Sequence, residues 1–431
     1  MERTGPEHQS LLTPHSSVLS LMIVAGEASG DKHGASLARA LKRLNPEIKY
    51  ELFGSGGEEM RAEGVETLVD AREVGIIGVP EITRAIGKLY RAYRTLLSAA
   101  RSRRPSAVVL IDWPDFNMRL ARKLHREGLK VIYYISPQVW AWRRYRIRAL
   151  RRNVDRMLVI LPFEEEFYKR AGLEVRYVGH PLAGVVRTTA SREEFCRRHE
   201  LDPSRSIFAL LPGSRHKEIH YHLPVMLDAA KRLRIADCGL RIDSQDAESQ
   251  ISNPQSAIRN PQFVIPLAST VRREDVAAAI QEAQLAARGS GEPDQLCVTV
   301  IEGDTYNALG HSEFAVVASG TATVEAALAG TPMVIIYRGS ELNWRLIRPL
   351  IHLDTFGMVN LIAGRHIVPE LMQHDATGEK IAREAAAILS DPARLARMRQ
   401  DLEHVRELLA ADGGSAAERA AQAVIEVIRE P

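Results

Sequence analysis

Four short stretches of the chain carry side chains whose type and spacing suit chemistry. IDWPDFN places Asp112 and Asp115 directly after an apolar run, at the carboxyl end of a strand, where open α/β sheets hold their ligands. Two carboxylates there suit general-base work, though either could instead cap the helix that follows. LLPGSRHKEI runs an apolar strand into a small turn ending in Ser214 and Arg215, so that backbone donors and a guanidinium could hold a phosphate. ASGTATVEAALAGTPMV does the same with Ser319, Gly320, Thr321, Ala322 and Thr323 opening a helix. A diphosphate could lie over that helix terminus, with Glu325 in the first helical turn accepting from ribose hydroxyls; the helix dipole alone also favours an acid there. AGEASGDKHGASLARAL brings Glu27, Ser29, Gly30 and Asp31 into a strand-to-helix turn, either a loop for an anionic or sugar ligand or a purely conformational one.

Several chemistries lack their signatures. There is no G-x-x-x-x-G-K-[ST] loop, no G-x-G-x-x-G after the first strand and no D-x-D on a strand end, so kinase and dehydrogenase readings lose ground. Leaving-group charge falls instead to a helix terminus and Arg215, with no metal and no cofactor expected. Cys196, Cys238 and Cys297 are odd in number and widely spaced, which argues for a reducing cytoplasm over a disulfide framework or zinc site. A net charge of +3 on 431 residues is too small for a nucleic-acid partner. The basic residues concentrate only at Arg143, Arg144, Arg146, Arg148, Arg151 and Arg152, behind Trp140 and Trp142, where they could meet lipid phosphates or form a solvated helix face.

The elements that must position these groups alternate short apolar runs with helical patterns, which implies βαβ units on parallel sheets. The first series runs from VLSLMIVAG to RMLVILP; the rhythm restarts at SIFALLPGSR and continues to PMVIIYR, separated by the charged segment SREEFCRRHELDPSRS. The fold class is therefore α/β, with two parallel sheets in series. Residues 1–17 read as a disordered tail, 18–190 as the first domain, 191–376 as the second, and 377–431 as helices packing back across both. Within the second domain, 239–262 is polar, holds Pro254 and Pro261, and reads as a surface insert that can be deleted without loss of activity. Val74 to Leu97 combines Val74, Ile76, Ile77, Val79 and Ile82 with Lys and Arg, which suits either a core-facing helix or an acyl or bilayer surface. No apolar run approaches the ~18 residues of a membrane span.

GEASGD, GSGGEEM, VGIIGVPEI, IDWPDFN, YYISPQVWAWR, LPFEEEFY, VGHPL, LLPGSR, ASGTATVEAALAGTPMVIIYR and NLIAGR, in this order from about Leu19 to Ile428, resemble the lipid-A-disaccharide synthase family. The resemblance implies a GT-B architecture, two Rossmann-like domains facing across a cleft with UDP on the second. It implies an inverting transfer from UDP-2,3-diacylglucosamine to the 6-hydroxyl of 2,3-diacylglucosamine 1-phosphate (lipid X), giving a beta-1,6 lipid A disaccharide 1-phosphate and UDP. Asp115 matches the second Asp of the family's I-D-x-P-D-F-N pattern and is the implied base. Ser214, Arg215, the Ser319–Thr323 turn, Glu325 and Asn360 match the donor side, and Glu27, Ser29, Gly30, Asp31 and Asp112 are the acceptor-loop candidates. Membership also favours the bilayer reading of Val74, Ile76, Ile77, Val79 and Ile82, with the protein peripheral on the anionic inner face of the cytoplasmic membrane. Monomer and homodimer both stay open. The nearest rival is a UDP-N-acetylglucosamine epimerase-like enzyme of the same architecture; a catalytically dead lipid-binding protein is a more distant one.

Overall fold

A computed structural model describes residues 18–74, 82–237, 261–268, 270–288, 296, 298–341, 344–345, 355–411 and 413–430. The expected tail, residues 239–260 of the expected insert, Ile76, Ile77 and Val79, Cys238 and Cys297 lie outside them. The backbone of Val74 and of Ile82 is described, their side chains are not. The chain divides into two compact units, residues 1–178 with 413–431 and residues 179–412.

The first unit holds a parallel sheet of β1 (Val18–Val24), β2 (Lys49–Gly56), β3 (Glu66–Asp70), β4 (Ala107–Ile111), β5 (Val131–Tyr134), β6 (Arg156–Val159) and β7 (Val175–Tyr177), in the order β3-β2-β1-β4-β5-β6-β7. Successive residues of β1 are buried on opposite faces. Leu21 and Ile23 pack with Leu37 and Leu41 of α1 (Ala28–Leu44), while Met22 and Val24 pack with Leu96 of the long helix Ile82–Arg103 and Leu120 of the helix Pro114–Arg126. Burial on both faces explains why the strands read as unbroken apolar runs. In chain order these helices are α1, α2 (Glu58–Ala62), α3 (Ala71–Val74), α4 (Ile82–Arg103), α5 (Pro114–Arg126), α6 (Ile147–Asn153) and α7 (Pro162–Arg170).

The second unit repeats the scheme with β8 (Ile207–Leu211), β9 (Gln262–Leu267), β10 (Val298–Glu302), β11 (Phe314–Ala318), β12 (Met333–Tyr337) and β13 (Glu370–Met372), in the order β10-β9-β8-β11-β12-β13, again all parallel. Its helices are α8 (Arg192–Arg198), α9 (His216–Asp237), α10 (Arg273–Arg288), α11 (Thr305–Gly310), α12 (Thr321–Leu328), α13 (Met358–Ala363), α14 (Gly378–Leu389) and α15 (Pro392–Ala410). Residues 179–190 belong here: the Asn307 side chain accepts from the Thr189 and Ala190 backbone at 2.8 and 3.0 Å.

The last helix, α16 (Ala416–Arg429), returns to the first unit. It buries Ala420, Ala423, Val424 and Val427 against the β1–β4 face of the sheet, and Lys130 Nζ donates to the Val427 carbonyl at 3.0 Å. A Ser415–Glu418 capping box starts it.

Each sheet reverses its strand order once near its middle, between β1 and β4 in one and between β8 and β11 in the other. Loops leaving the carboxyl ends of strands at such a reversal form the crevice where open α/β sheets bind ligands. The residues after β1 and β4 are Gly26–Glu27 and Asp112–Asp115. Those after β8 and β11 are Pro212–Arg215 and Ser319–Thr323.

Candidate active site

In the first unit the β4 exit is bent hard. Asp112 and Trp113 both take left-handed φ, 46° and 49°, a conformation costing roughly 1–2 kcal/mol for a residue with a Cβ. The bend is pinned through one carbonyl: Tyr133 Oη and Asn117 Nδ2 donate to the Asp112 oxygen at 2.7 and 2.8 Å. Trp113 then stacks on Phe116, centroids 3.9 Å apart, and lies over Gly26, where an added Cβ would stand 2.0 Å from the indole. Glycine at the β1 exit therefore brings the two loops together. Held there, the Asp112 carboxyl is pushed up to about 6, first by burial and second by the Glu27 carboxylate.

The other predicted residues of this unit divide. Glu27 and Ser29 are exposed beside the bend; Gly30 packs on Ala25. Asp31 is buried, and its carboxylate accepts from the Gly57, Glu59 and Met60 backbone at 2.6, 3.1 and 3.1 Å, so it caps α2. Asp115 sits in the first turn of α5 with its side chain 63% exposed, paired with Arg146 and, at 3.5 Å, with Arg143. Neither Asp112 nor Asp115 caps α5 by a side-chain bond. Of the arginine run, Arg143 and Arg146 thus turn toward Asp115, while Arg144, Arg148, Arg151 and Arg152 are exposed.

One residue here escaped the sequence reading. Glu164 is buried, and its Oε1 accepts from Ser136 Oγ at 2.6 Å and Trp140 Nε1 at 2.9 Å, while Oε2 accepts from the Leu161 backbone at 3.1 Å. It holds the loop that leads to Arg143, and burial pushes its carboxyl up to about 7. LPFEEEFY offers three consecutive acids, and only the fold selects the first.

In the second unit Gly213 takes φ +119°, and the turn it forms presents Ser214 and Arg215. Glu218 Oε2 accepts from both backbone N–H groups at 2.8 and 3.2 Å, and its Oε1 lies 3.1 Å from the Arg215 guanidinium, which is 81% exposed. At the β11 exit, Gly320 takes φ +151° facing open space and precedes α12. Ser319 Oγ donates to the Phe356 carbonyl at 3.0 Å and Thr323 Oγ1 to the Gly320 carbonyl at 2.7 Å; Thr321 and Ala322 open the helix. Because α12 starts at Thr321, Glu325 falls in the second helical turn and not the first; burial raises its carboxyl pKa, an effect of desolvation. Asn360 is fully buried: its amide nitrogen donates to the Val368 carbonyl at 2.9 Å and to Glu370 at 2.7 Å, and its oxygen accepts from the Ile367 and Val368 backbone. Glu370 in turn accepts from the backbone of Phe356 and Gly357, so Asn360 braces the loop on which Ser319 rests.

Among the described residues no group of three His, Cys, Asp or Glu is placed to hold a metal ion, and no helix is long and apolar enough to cross a membrane.

The profile of the lipid-A-disaccharide synthetase family matches residues 21–291 and 249–425. The chain belongs to the lipid-A-disaccharide synthetase family. It is 44% identical to the lipid-A-disaccharide synthase of Geobacter sulfurreducens over 95% of this chain and 97% of that one, and 42% identical to that of Koribacter versatilis over 95% and 99%. Its fold is similar to that of UDP-GlcNAc 2-epimerase from Neisseria meningitidis bound to UDP-GlcNAc (TM-score 0.57, 10% identity, 95% and 99% coverage) and of the calicheamicin glycosyltransferase CalG4 (TM-score 0.54, 12% identity, 96% and 98% coverage). At those identities the likeness shows the GT-B fold alone; the synthase relatives decide the family. Lipid-A-disaccharide synthetases are glycosyltransferases of lipid A biosynthesis, and the chain is such an enzyme.

Proposed function

We propose that the chain condenses UDP-2,3-diacylglucosamine with 2,3-diacylglucosamine 1-phosphate, with inversion at the anomeric carbon. The acceptor 6-hydroxyl gives its proton to a carboxylate, its oxygen forms the new bond to the anomeric carbon, and the pair of electrons of the breaking bond leaves with UDP. A single base suffices because no covalent sugar intermediate forms. The observation that carries the reading is the Asp112 carboxyl, half-buried at a strained strand exit near Glu27 and raised to about 6. A carboxylate so placed is ionised at neutral pH yet more basic than an exposed one. Asp115, the base implied by the family pattern, is exposed and its carboxylate is taken up by ion pairs with Arg146 and Arg143. We therefore give proton transfer to Asp112, and to Asp115 the task of orienting Arg143 and Arg146.

On the donor side, the departing diphosphate is assigned to Arg215, Ser214 and the Ser319–Thr323 turn, and ribose to Glu325. Binding there requires Glu218 to release the two backbone donors it holds. We place the reaction at an anionic membrane surface, a reading supported by the exposed Arg144, Arg148, Arg151 and Arg152 and by the apolar sequence from Val74 to Ile82. Exchanging those four arginines for Ser should lower the fraction bound to anionic vesicles; an unchanged fraction counts against it.

The deciding experiment is mass spectrometry of products from both substrates in detergent, with wild type, Asp112→Asn and Asp115→Asn. A disaccharide phosphate from wild type, absent from Asp112→Asn and reduced with Asp115→Asn, is expected. Absence only from Asp115→Asn would return the proton to Asp115. An epimerised donor without disaccharide would refute the transfer.

A further inference from the structure

His222, on the second turn of α9, is a buried titratable group of the second unit that the proposed reaction leaves without a task. Its surroundings fix its tautomer. The Arg338 backbone N–H donates to Nε2 at 2.9 Å, so Nε2 carries the lone pair; Nδ1 then holds the proton and donates to the Pro212 carbonyl at 2.8 Å. Burial holds the imidazole below its usual pKa, which keeps this neutral form.

The two groups it joins are the exits of the two strands that flank β11 in the sheet. Pro212 ends β8 and starts the turn that presents Ser214 and Arg215; Arg338 ends β12. A second clamp acts beside the first, since Gln373 accepts from the Gly339 N–H at 3.0 Å and donates to the Gly339 carbonyl at 2.8 Å. The Arg338–Gly339 segment is therefore held on both sides. It lines a cavity of about 600 Å³ with His220, Tyr221, Gln373 and His374. Among the described residues Arg338 has no ion-pair partner, and its side chain is exposed.

We propose that His222 is a positioning residue for the nucleotide: bonded at both ring nitrogens, it sets the distance between the 212–215 turn and the β12 exit, so that Arg215 and Arg338 present their charge to one diphosphate. The inference rests on the donor reading given above and adds Arg338 to it. Leucine fills the same volume and makes neither bond; glutamine offers one N–H donor and one carbonyl acceptor and can restore the bridge.

The test is calorimetric titration of UDP into the full-length protein, with KM for each substrate measured alongside. His222→Leu should weaken UDP binding and raise donor KM by between roughly tenfold and a hundredfold while acceptor KM stays at the wild-type value. His222→Gln should bring UDP affinity back to within a few-fold of wild type. Arg338→Ala leaves the backbone bond intact and should weaken UDP binding by itself, which keeps the proposal testable should the leucine variant not fold. Wild-type UDP affinity in His222→Leu, or in Arg338→Ala, overturns it. Arg215→Ala separates the two levels: if that variant binds UDP normally, the donor reading itself falls; if it binds weakly while His222→Leu does not, only the role of His222 does.

Discussion

Asp112 ties catalysis and stability together at a single side chain. Its folded pKa of about 6 lies above the ordinary 3.8, so the native state keeps the proton through a window in which the unfolded chain has lost it. The stabilising contribution is complete below that window and gone once pH has risen through about 6, leaving a half-buried charge at neutral pH. Asp112→Asn removes the charge, and Asn tolerates the left-handed backbone there. The expected outcome is a variant more stable than wild type at pH 7.5 by on the order of 1–3 kcal/mol, seen as a higher Tm and shrinking toward pH 4, together with a loss of turnover of about 10²–10⁴. Thermal scans at the two pH values and steady-state rates check both halves; a lower Tm at pH 7.5 would mean that the carboxylate is doing structural work. Gly26→Ala tests the neighbouring contact. Its Cβ must displace the Trp113 indole, and turnover should drop at least about tenfold, as expected for a misplacement near 1 Å.

At the scale of elements, each loop is positioned by a side chain from another part of its unit. Glu164 on α7 holds the 136–140 loop, and through it the arginines that face Asp115. Glu164→Ala leaves the Ser136 hydroxyl and the Trp140 N–H buried without an acceptor, at about 1–3 kcal/mol for each. Tm should fall by several degrees, and acceptor KM should rise while UDP affinity is kept. Differential scanning calorimetry with a UDP titration on the same samples separates the two; a fall in UDP affinity equal to the loss of turnover would place the damage elsewhere. Asn360 and Glu370 act in the same manner on the loop beneath Ser319, and Asp31 on α2, which is why these polar residues are buried.

On the scale of the whole molecule, the chain closes its first unit with its last helix. Val424 and Val427 of α16 lie in the core of a sheet whose first strand begins at Val18, and Arg176 pairs with Glu426 at 2.5 Å. Burying such a branched side chain contributes ~1.5–3 kcal/mol, and the helix brings several apolar residues against a total domain stability of ~5–15 kcal/mol. A chain ending at residue 412 should therefore lose the first unit, giving a large drop in solubility and in protection of residues 18–178 from protease. Limited proteolysis with mass spectrometry reads this directly, and an intact first unit would show that α16 is dispensable.

What the sequence determined by itself was periodic and local. Fully buried parallel strands read as apolar runs such as VVLI and FAVVA, helices as 3.6-residue patterns, and the small and acidic residues of IDWPDFN, LLPGSR and ASGTAT stand at strand ends because the chain leaves a parallel sheet there. The ordered series of motifs was also enough to reach the family. The tertiary structure alone decided which polar groups are desolvated and by what. Asp112 and Asp115 are three residues apart and indistinguishable in type, yet one is half-buried at the strand exit near the Glu27 carboxylate and the other is in water with two arginines. Asp31 and Asn360 look like free functional groups in the sequence and Glu164 like one acid among three, and each is engaged by hydrogen-bond partners that its own local pattern does not reveal. Propensity and pattern act over one or two turns of chain, whereas burial and charge pairing depend on atoms that meet only when distant segments pack.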